Sequence, residues 1–284
     1  MEQQSQRVIV GMSGGVDSSV TAFLLKEQGY EVEGVSFILY EARMRNVLSG
    51  CCSLSAIDDA RRTAEHLGIP HRALDLRNEF TEKVIEPFID AYSRGFTPNP
   101  CILCNRYIKF PYLLKAADES GGGFIATGHY ARVERGEKTE VRSQSTEKVF
   151  LEKGVDPRKD QSYVLAMISR QCLDRLVLPL GGMSKDQVRQ IARELSLPSA
   201  TRPESQEICF VENNYTAFLE GLTGDSAGPV IHAGTGTVLG RHGGIHLFTI
   251  GQRKRLGVSS PEPLFVISLD PSQNAVYVGP REMA

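Results

Sequence analysis

The sequence predicts an α/β fold: a doubly wound parallel sheet, then a helical segment, then a small β-rich domain. Three observations carry this. Apolar runs of strand length alternate with runs of helical period over roughly the first 165 residues. The helical runs close on glycine, as at Gly29 and Gly68. Beyond about residue 222 glycine becomes frequent and short alternating runs replace the helices.

In chain order, "RVIVGM" (7–12) is a short apolar strand. "SSVTAFLLKEQG" follows as a helix with Val20, Phe23 and Leu24 at helical spacing, and "EVEGVSFIL" is the second strand. "AIDDARRTAEHLG" reads as a helix, "HRALDL" as a strand, "FTEKVIEPFIDAYSRG" as a helix, and "GGFIATGHY" as a strand that runs into a loop. The polar stretch "ERGEKTEVRSQSTEK" (134–148) reads as an exposed excursion between two strands. The spacing predicts helices in "SKDQVRQIARELSLP" and "NYTAFLEGL", with a polar connection around Cys209 between them. "GTVLG", "HLFTI", "PLFVISL" and "NAVYVG" predict a small antiparallel β unit. The domains expected are therefore 1–165, a connecting segment 166–222 and a β-rich 223–284.

Composition bounds the class. At 284 residues with 41% hydrophobic and 23% charged content, the chain can bury an ordinary globular core. No run of about eighteen apolar residues and no basic-then-apolar leader is present, so a cytoplasmic protein without a membrane span is expected. The net charge of −2 means that any surface for a polyanion must be local. Six cysteines (51, 52, 101, 104, 172 and 209) are too sparse for a disulfide scaffold, which leaves thiols, metal ligands or catalytic groups.

The strongest chemical signal is "GMSGGVDSS" (11–19). Small residues directly after a strand let the backbone turn tightly, so that amides and the start of the next helix converge on an anion. No Gly-Lys-Ser/Thr follows, so the lysine of a Walker loop is missing. The loop offers the hydroxyls of Ser13, Ser18 and Ser19, and Asp17 as a carboxylate for Mg2+. At the carboxyl ends of parallel strands, residues 11–19 and 127–130 belong to one ligand site.

"SGGVDSS" resembles the PP-loop of the ATP pyrophosphatases, which transfer AMP to an acceptor oxygen. The chain as a whole is similar to the tRNA-specific 2-thiouridylases, on "TPNPCILCNRYIKF", "ATGHYARV", "KDQSYVL", "QVRQIARELSLP", "SQEICFV" and "TIGQRKRLG". The resemblance implies ATP, with Mg2+, at Gly11, Met12, Ser13, Gly14, Gly15, Val16, Asp17, Ser18, Phe37 and Gly128. It implies adenylation of O2 of the wobble uridine of tRNA, replacement of that oxygen by sulfur, and release of AMP and pyrophosphate. Cys104 matches the family's catalytic nucleophile and Cys209 its sulfur-bearing cysteine. Lys159, Asp160 and Gln161 match tRNA contacts, Asn99, Pro100 and Cys101 line the flipped base, and His129 lies beside the nucleotide. The sulfur donor is a cysteine desulfurase, a relay protein or inorganic sulfide. Members of the family usually continue into a β-barrel that grips tRNA, and this sequence ends before one. Nucleotide binding is expected to survive without it, whereas tRNA affinity and full turnover are left open.

Physics adds to the cysteine assignments. A cysteine just before "NRYIKF" is expected near a helix N-terminus with Arg106 and Lys109 close by, which favours thiolate. Cys209, between Ile208 and Phe210, also fits a small buried apolar residue, and Cys172 beside Leu173 and Leu176 reads as core. Where Cys101 stands, the better-known family members carry aspartate. Two routes stay open: a persulfide using Cys104 and Cys209, or a 4Fe-4S cluster on Cys101, Cys104 and Cys209 whose open iron holds a sulfide. A structural zinc fits less well, because only one CxxC exists. The competing functions are a small-molecule PP-loop ligase or amidotransferase, which has no use for the cysteine pair, and a non-catalytic nucleotide- or iron-sulfur-binding module.

Overall fold

Five parallel strands in the order β3 (His71–Asp75), β2 (Glu31–Ile38), β1 (Arg7–Gly11), β4 (Phe124–Ala126) and β7 (Leu176–Val177) build the sheet of the first part of the molecule. The structure is a computed structural model and describes residues 6–40, 54–141, 144–202, 208–211 and 227–283. Cys51, Cys52 and the helix expected in "NYTAFLEGL" lie outside the described residues. The chain divides into two compact units, 1–83 with 101–210, and 84–100 with 211–284.

In the first unit, β1 (Arg7–Gly11) is central and pairs in parallel with β2 (Glu31–Ile38) and β4 (Phe124–Ala126). β3 (His71–Asp75) and β7 (Leu176–Val177) form the edges. Val8, Ile9 and Val10 are fully buried, as a central parallel strand covered on both faces requires. Each such aliphatic side chain contributes about 1.5–3 kcal/mol on burial. Val8 and Val10 share a core with α1 (Val16–Glu27) and α2 (Leu54–Leu67), while the pleat sends Ile9 to the opposite face. α6 (Phe110–Glu119) packs on β1 and β4.

The boundary expected near residue 165 is not where the units part. α9 (Lys185–Glu194) packs on α1, and its Val188 and Ala192 belong to the same core as Val8 and Val20. The "ERGEKTEVRSQSTEK" excursion is itself a hairpin: β5 (Ala131–Val141) pairs antiparallel with β6 (Gln144–Lys153). The pair is held by its own ladder and by Arg132 donating to Glu152 at 2.7 Å, so it carries little apolar patterning for a sequence reading to find.

A single helical run connects the units. α3 (Arg77–Phe80), a π-helical turn Thr81–Ile85 and α4 (Glu86–Ser93) follow one another, and α4 lies within the second unit against a turn at Ile245–Leu247. A second run starts with α5 (Pro100–Cys104), passes through a π-helical turn Asn105–Lys109 and enters α6.

The sheet of the second unit has the order β10-β11-β8-β9, with β8 (Gly228–His232), β9 (Val238–His242), β10 (Phe265–Asp270) and β11 (Ala275–Gly279). It is mixed rather than antiparallel, since β11 pairs with β8 in parallel. Local turns announce hairpins but carry no mark of a pairing across forty residues. "HLFTI" does not form the expected strand: Ile245 and Phe248, three apart, both turn into the core, which a short 3-10 turn allows and strand alternation forbids.

The N-terminus of α9 is doubly tied. Ser184 and Gln187 form a reciprocal capping box, and the buried Asp156 carboxylate accepts from the Lys185 N–H at 3.2 Å and the Arg158 N–H at 3.0 Å. These bonds, the Lys185 amide first, hold the Asp156 carboxyl below the usual carboxylate range against the opposing effect of burial. A depressed folded-state pKa adds stability above the unfolded value near 4 that is lost as pH falls through the folded value. Asp156→Asn is therefore expected to lower the melting temperature at pH 7, and the gap from wild type should shrink as the pH is taken below 4. A gap constant over that range contradicts the capping role.

Candidate nucleotide and sulfur-transfer site

The loop after β1 and the loop after β4 meet where the strand order reverses, at the carboxyl ends of the sheet. Between them lies a cleft of about 250 Å³. Gly11, Met12, Ser13, Gly15, Val16, Asp17, Ser18, Phe37 and Gly128 line it, nine of the ten positions that the sequence assigns to nucleotide. The tenth, Gly14, shapes the turn instead: its φ is +73°, and a Cβ there would lie 2.1 Å from the Ala56 carbonyl oxygen.

α1 starts at Val16 without a side-chain cap, so the amides of its first turn face the cleft unsatisfied by any side chain. The serines divide the work. Ser18 Oγ accepts from the Ser13 N–H at 3.2 Å and donates to the Gly15 carbonyl at 3.1 Å, bracing the loop. Ser19 is fully buried, donates to Gly15 O at 2.9 Å and accepts from Ser199 at 2.9 Å, so its hydroxyl is structural rather than offered to a ligand. Asp17 lines the same cleft, where Lys185 Nζ reaches both its oxygens at 2.7 Å and the Tyr130 hydroxyl donates to Oδ1 at 2.7 Å.

Four cations line the cleft, Lys109, Lys185, Arg189 and Arg202, against the single acid Asp17. A sequence reading centred on the loop misses them because they arrive from α9, the helical run before α6, and the turn after α9. Arg202 Nη1 ties Gly14 O at 3.3 Å to Asp59 at 2.5 Å, which fixes the loop to α2. The excess of positive charge suits a polyphosphate.

His129 lines the same cleft, hydrogen-bonded to Thr127 Oγ1 at 2.7 Å and stacked on Phe110 with ring centroids 6.1 Å apart. Burial, with Lys109 adding to it, pushes its pKa down to about 3, so the imidazole is neutral at working pH and acts by hydrogen bonding, not charge. Gln161 also faces the cleft, its amide oxygen accepting from the Tyr130 N–H at 3.1 Å. Asp160 is turned inward. Burial raises its carboxyl pKa, but bonds from the Gly154 N–H, the Ser162 N–H and the Ser162 hydroxyl outweigh this and hold it below the ordinary range. Lys159 is half-buried beside them.

The cysteine helix begins earlier than the sequence suggests. Pro100 is its first residue, so Cys101 occupies the first turn, exposed, and Cys104 lies within the run, buried, rather than at a helix start. Proline at the first helical position explains the early start, because its fixed φ is preset for a helix and its missing N–H is not needed there. Asn99 is exposed and Pro100 buried. Arg106 lies over the Tyr107 ring at 5.0 Å, and Lys109 serves the cleft. The buried Asn105 ties this run to α7 (Ser162–Leu165) by donating to the Val164 carbonyl at 3.0 Å.

Cys209 is half-buried, and its neighbour Phe210 is anchored edge-to-face on Phe80 at 5.5 Å. Cys172 is buried on α8 (Arg170–Asp174), with its thiol pKa pushed up by burial, as a core cysteine should be. Among the described residues no three His, Cys, Asp or Glu side chains are grouped to hold a metal ion.

Gly128 offers a direct check on the cleft. A Cβ there would lie 2.8 Å from both the Asp17 carbonyl carbon and the Ser18 nitrogen, which are backbone and cannot step aside. Gly128→Ala is expected to cost about 1–3 kcal/mol of stability by overpacking and to weaken nucleotide binding together with it. Unchanged denaturation and unchanged binding would place the loop elsewhere.

Comparison with known proteins bears on the whole chain. The family description "tRNA methyl transferase HUP domain" matches residues 6–213, and "tRNA methyl transferase PRC-barrel domain" matches 216–280. A tRNA-specific 2-thiouridylase of Desulforamulus reducens is 48% identical, over 98% of this chain and 75% of its own length. That of Geobacter metallireducens is 46% identical, over 99% of this chain and 76% of its own. Among solved structures, the U34-tRNA thiolase NcsA of Methanococcus maripaludis is similar with a TM-score of 0.46 and 18% identity, over 78% of this chain and 66% of that one. At that score the likeness carries no functional weight.

Proposed function

Because the chain belongs to the tRNA-specific 2-thiouridylase family, we propose that it thiolates the wobble uridine of tRNA by a two-stage route built on the cleft and on the Cys104–Cys209 pair. The observation that supports this most is the cleft itself: a phosphate loop at the strand switch point with four cations to one acid.

In the first stage MgATP enters as substrate and the uridine O2 attacks the α-phosphorus. The new O–P bond forms as the bond to the β-phosphate oxygen breaks, and pyrophosphate leaves with the electron pair. The first-turn amides of α1 and the cleft cations oppose the charge that grows on the departing oxygens. His129, neutral beside the loop, is a hydrogen-bonding group at this stage. The uridine must leave its stack to reach the cleft, and Asn99, Pro100 and Cys101 are our assignment for the residues that receive it.

In the second stage the outer sulfur of a Cys209 persulfide attacks C2. A C–S bond forms, the C–O bond breaks, and O2 departs as part of AMP. The Cys104 thiolate then attacks Cys209 Sγ, which forms a Cys104–Cys209 disulfide and leaves the sulfur on the uridine. A thiol reductant returns both cysteines to thiols, the state in which the structure holds them. The persulfide is recharged by a cysteine desulfurase or relay protein, or by hydrosulfide that attacks Cys209 Sγ of the Cys104–Cys209 disulfide and releases the Cys104 thiolate, and the cytoplasm is the compartment that supplies tRNA and reductant together. Among the described residues no helix is long and apolar enough to cross a membrane.

The persulfide route needs only Cys104 and Cys209, which supports it ahead of the cluster, and the presence of both in one unit with the cleft favours thiolation over a small-molecule ligase. Cys104→Ser and Cys209→Ser are each expected to abolish thiolation while ATP affinity stays within threefold of wild type. Cys101→Ser should keep thiolation within about threefold. The checks are sulfur incorporation into tRNA and the iron content of anaerobically purified protein. Joint loss of iron and activity in Cys101→Ser would restore the cluster.

A further inference from the structure

Cys101 and Cys104 stand three residues apart at the start of one helical run, and the structure gives them opposite surroundings. Cys101 is exposed, whereas Cys104 is only 5% exposed. The buried end is clamped: the next residue, Asn105, donates to the Val164 carbonyl at 3.0 Å, and Ile108 and Phe110 further along the run are fully buried. The other end is not continued by helix, since residues 96–99 have no regular structure before Pro100. Residues three apart share one face of a helix, with Cα atoms about 5 Å apart, inside the roughly 4.4–6.8 Å that a disulfide spans. Cys101 is therefore in disulfide range of Cys104 and nearer to solvent.

The proposed second stage leaves a Cys104–Cys209 disulfide, of which one sulfur belongs to a buried residue and the other to a half-buried one. Thiol–disulfide exchange needs the attacking thiolate to reach a sulfur, so access limits how fast an external reductant opens such a bond. A protein reductant, whose cysteines sit on a broad surface, meets this bond poorly. Cys101 meets Cys104 from the same helical turn and itself stands at the surface. Neither AMP transfer nor sulfur transfer to uridine uses its thiol.

We propose that Cys101 is the resolving cysteine of this site. After the thiolated uridine has left, the Cys101 thiolate attacks Cys104 Sγ: a Cys101–Cys104 bond forms, the Cys104–Cys209 bond breaks, and Cys209 departs as thiolate with the electron pair. A dithiol protein reductant then attacks the exposed Cys101 Sγ, releases the Cys104 thiolate, and closes its own disulfide by expelling Cys101. The reductant's two thiol protons end on Cys101 and Cys104 by way of water. The two electrons that each cycle consumes thus enter at the surface, and Cys209 is open to its next sulfur before they arrive. The proposal rests on the persulfide reading of the Cys104–Cys209 pair. Its particular content is the order in which the disulfides form.

Persulfide-loaded wild type is given ATP and tRNA for a single turnover without reductant, its remaining thiols are capped with N-ethylmaleimide, and the disulfide is mapped by mass spectrometry. A Cys101–Cys104 disulfide with capped Cys209 is the expected product. Cys101→Ser should instead retain Cys104–Cys209, and its reduction by a thioredoxin should be at least tenfold slower than that of wild type. With a small phosphine reductant the gap should narrow to less than threefold, which a general loss of folding would not produce. Wild type that holds Cys104–Cys209 with Cys101 capped, or equal thioredoxin rates in the two proteins, would overturn the proposal. The wild-type map needs no variant, so it decides the question even if Cys101→Ser folds poorly. Thiolated tRNA beside protein that carries neither disulfide would instead remove the persulfide reading, and the proposal with it.

Discussion

The site depends on one close approach: the backbone after β4 passes so near the start of α1 that Gly128 has no room for a methyl group against Asp17 and Ser18. The parallel order β2-β1-β4 imposes this, because β1 and β4 are neighbours and their loops leave the sheet at the same edge. The loop after β1 must then turn back within a few residues, which Gly14 achieves at a φ of +73° while Arg202 pins its carbonyl. A cleft bounded by two loops of fixed course presents its lining groups in one register, which the proposed transfer of AMP to an incoming oxygen needs.

Charge is distributed to match. The cations come from three separate stretches of chain, and the lone acid is already balanced by one of them. The one imidazole at the cleft is kept neutral by burial and by Lys109, so it neither competes with the cations for phosphate nor changes state over the working pH range. Asp160 and Asp156 hold the loop between β6 and α7 and the start of α9 by hydrogen bonds.

The strand-helix alternation of the first 130 residues was legible because each element buries a continuous apolar run, as at Val8 to Val10, and because glycines end the helices. The phosphate loop was legible because it is local. What stayed hidden is non-local: the parallel pairing of β11 with β8, the packing of α9 on α1 that moves the unit boundary to about residue 210, and the arrival of Lys185 and Arg202 at the loop. The β5–β6 hairpin was missed for a different reason, since a ladder held by Arg132 and Glu152 across the strands shows no alternation of apolar residues. The start of the cysteine helix at Pro100 could have been read from the proline alone, and it changes the environment of Cys104 from a helix end to a buried interior.

The central claim is that this cleft turns the uridine oxygen into a leaving group by joining it to AMP. The fate of that oxygen tests it directly: a tRNA carrying 18O at O2 of the target uridine is thiolated in a single turnover, and the AMP is analysed by mass spectrometry. The account predicts one 18O in each AMP released, matched to the sulfur incorporated. AMP without label alongside thiolated tRNA would contradict it, because the oxygen would then have left by a route that never passed through the phosphate.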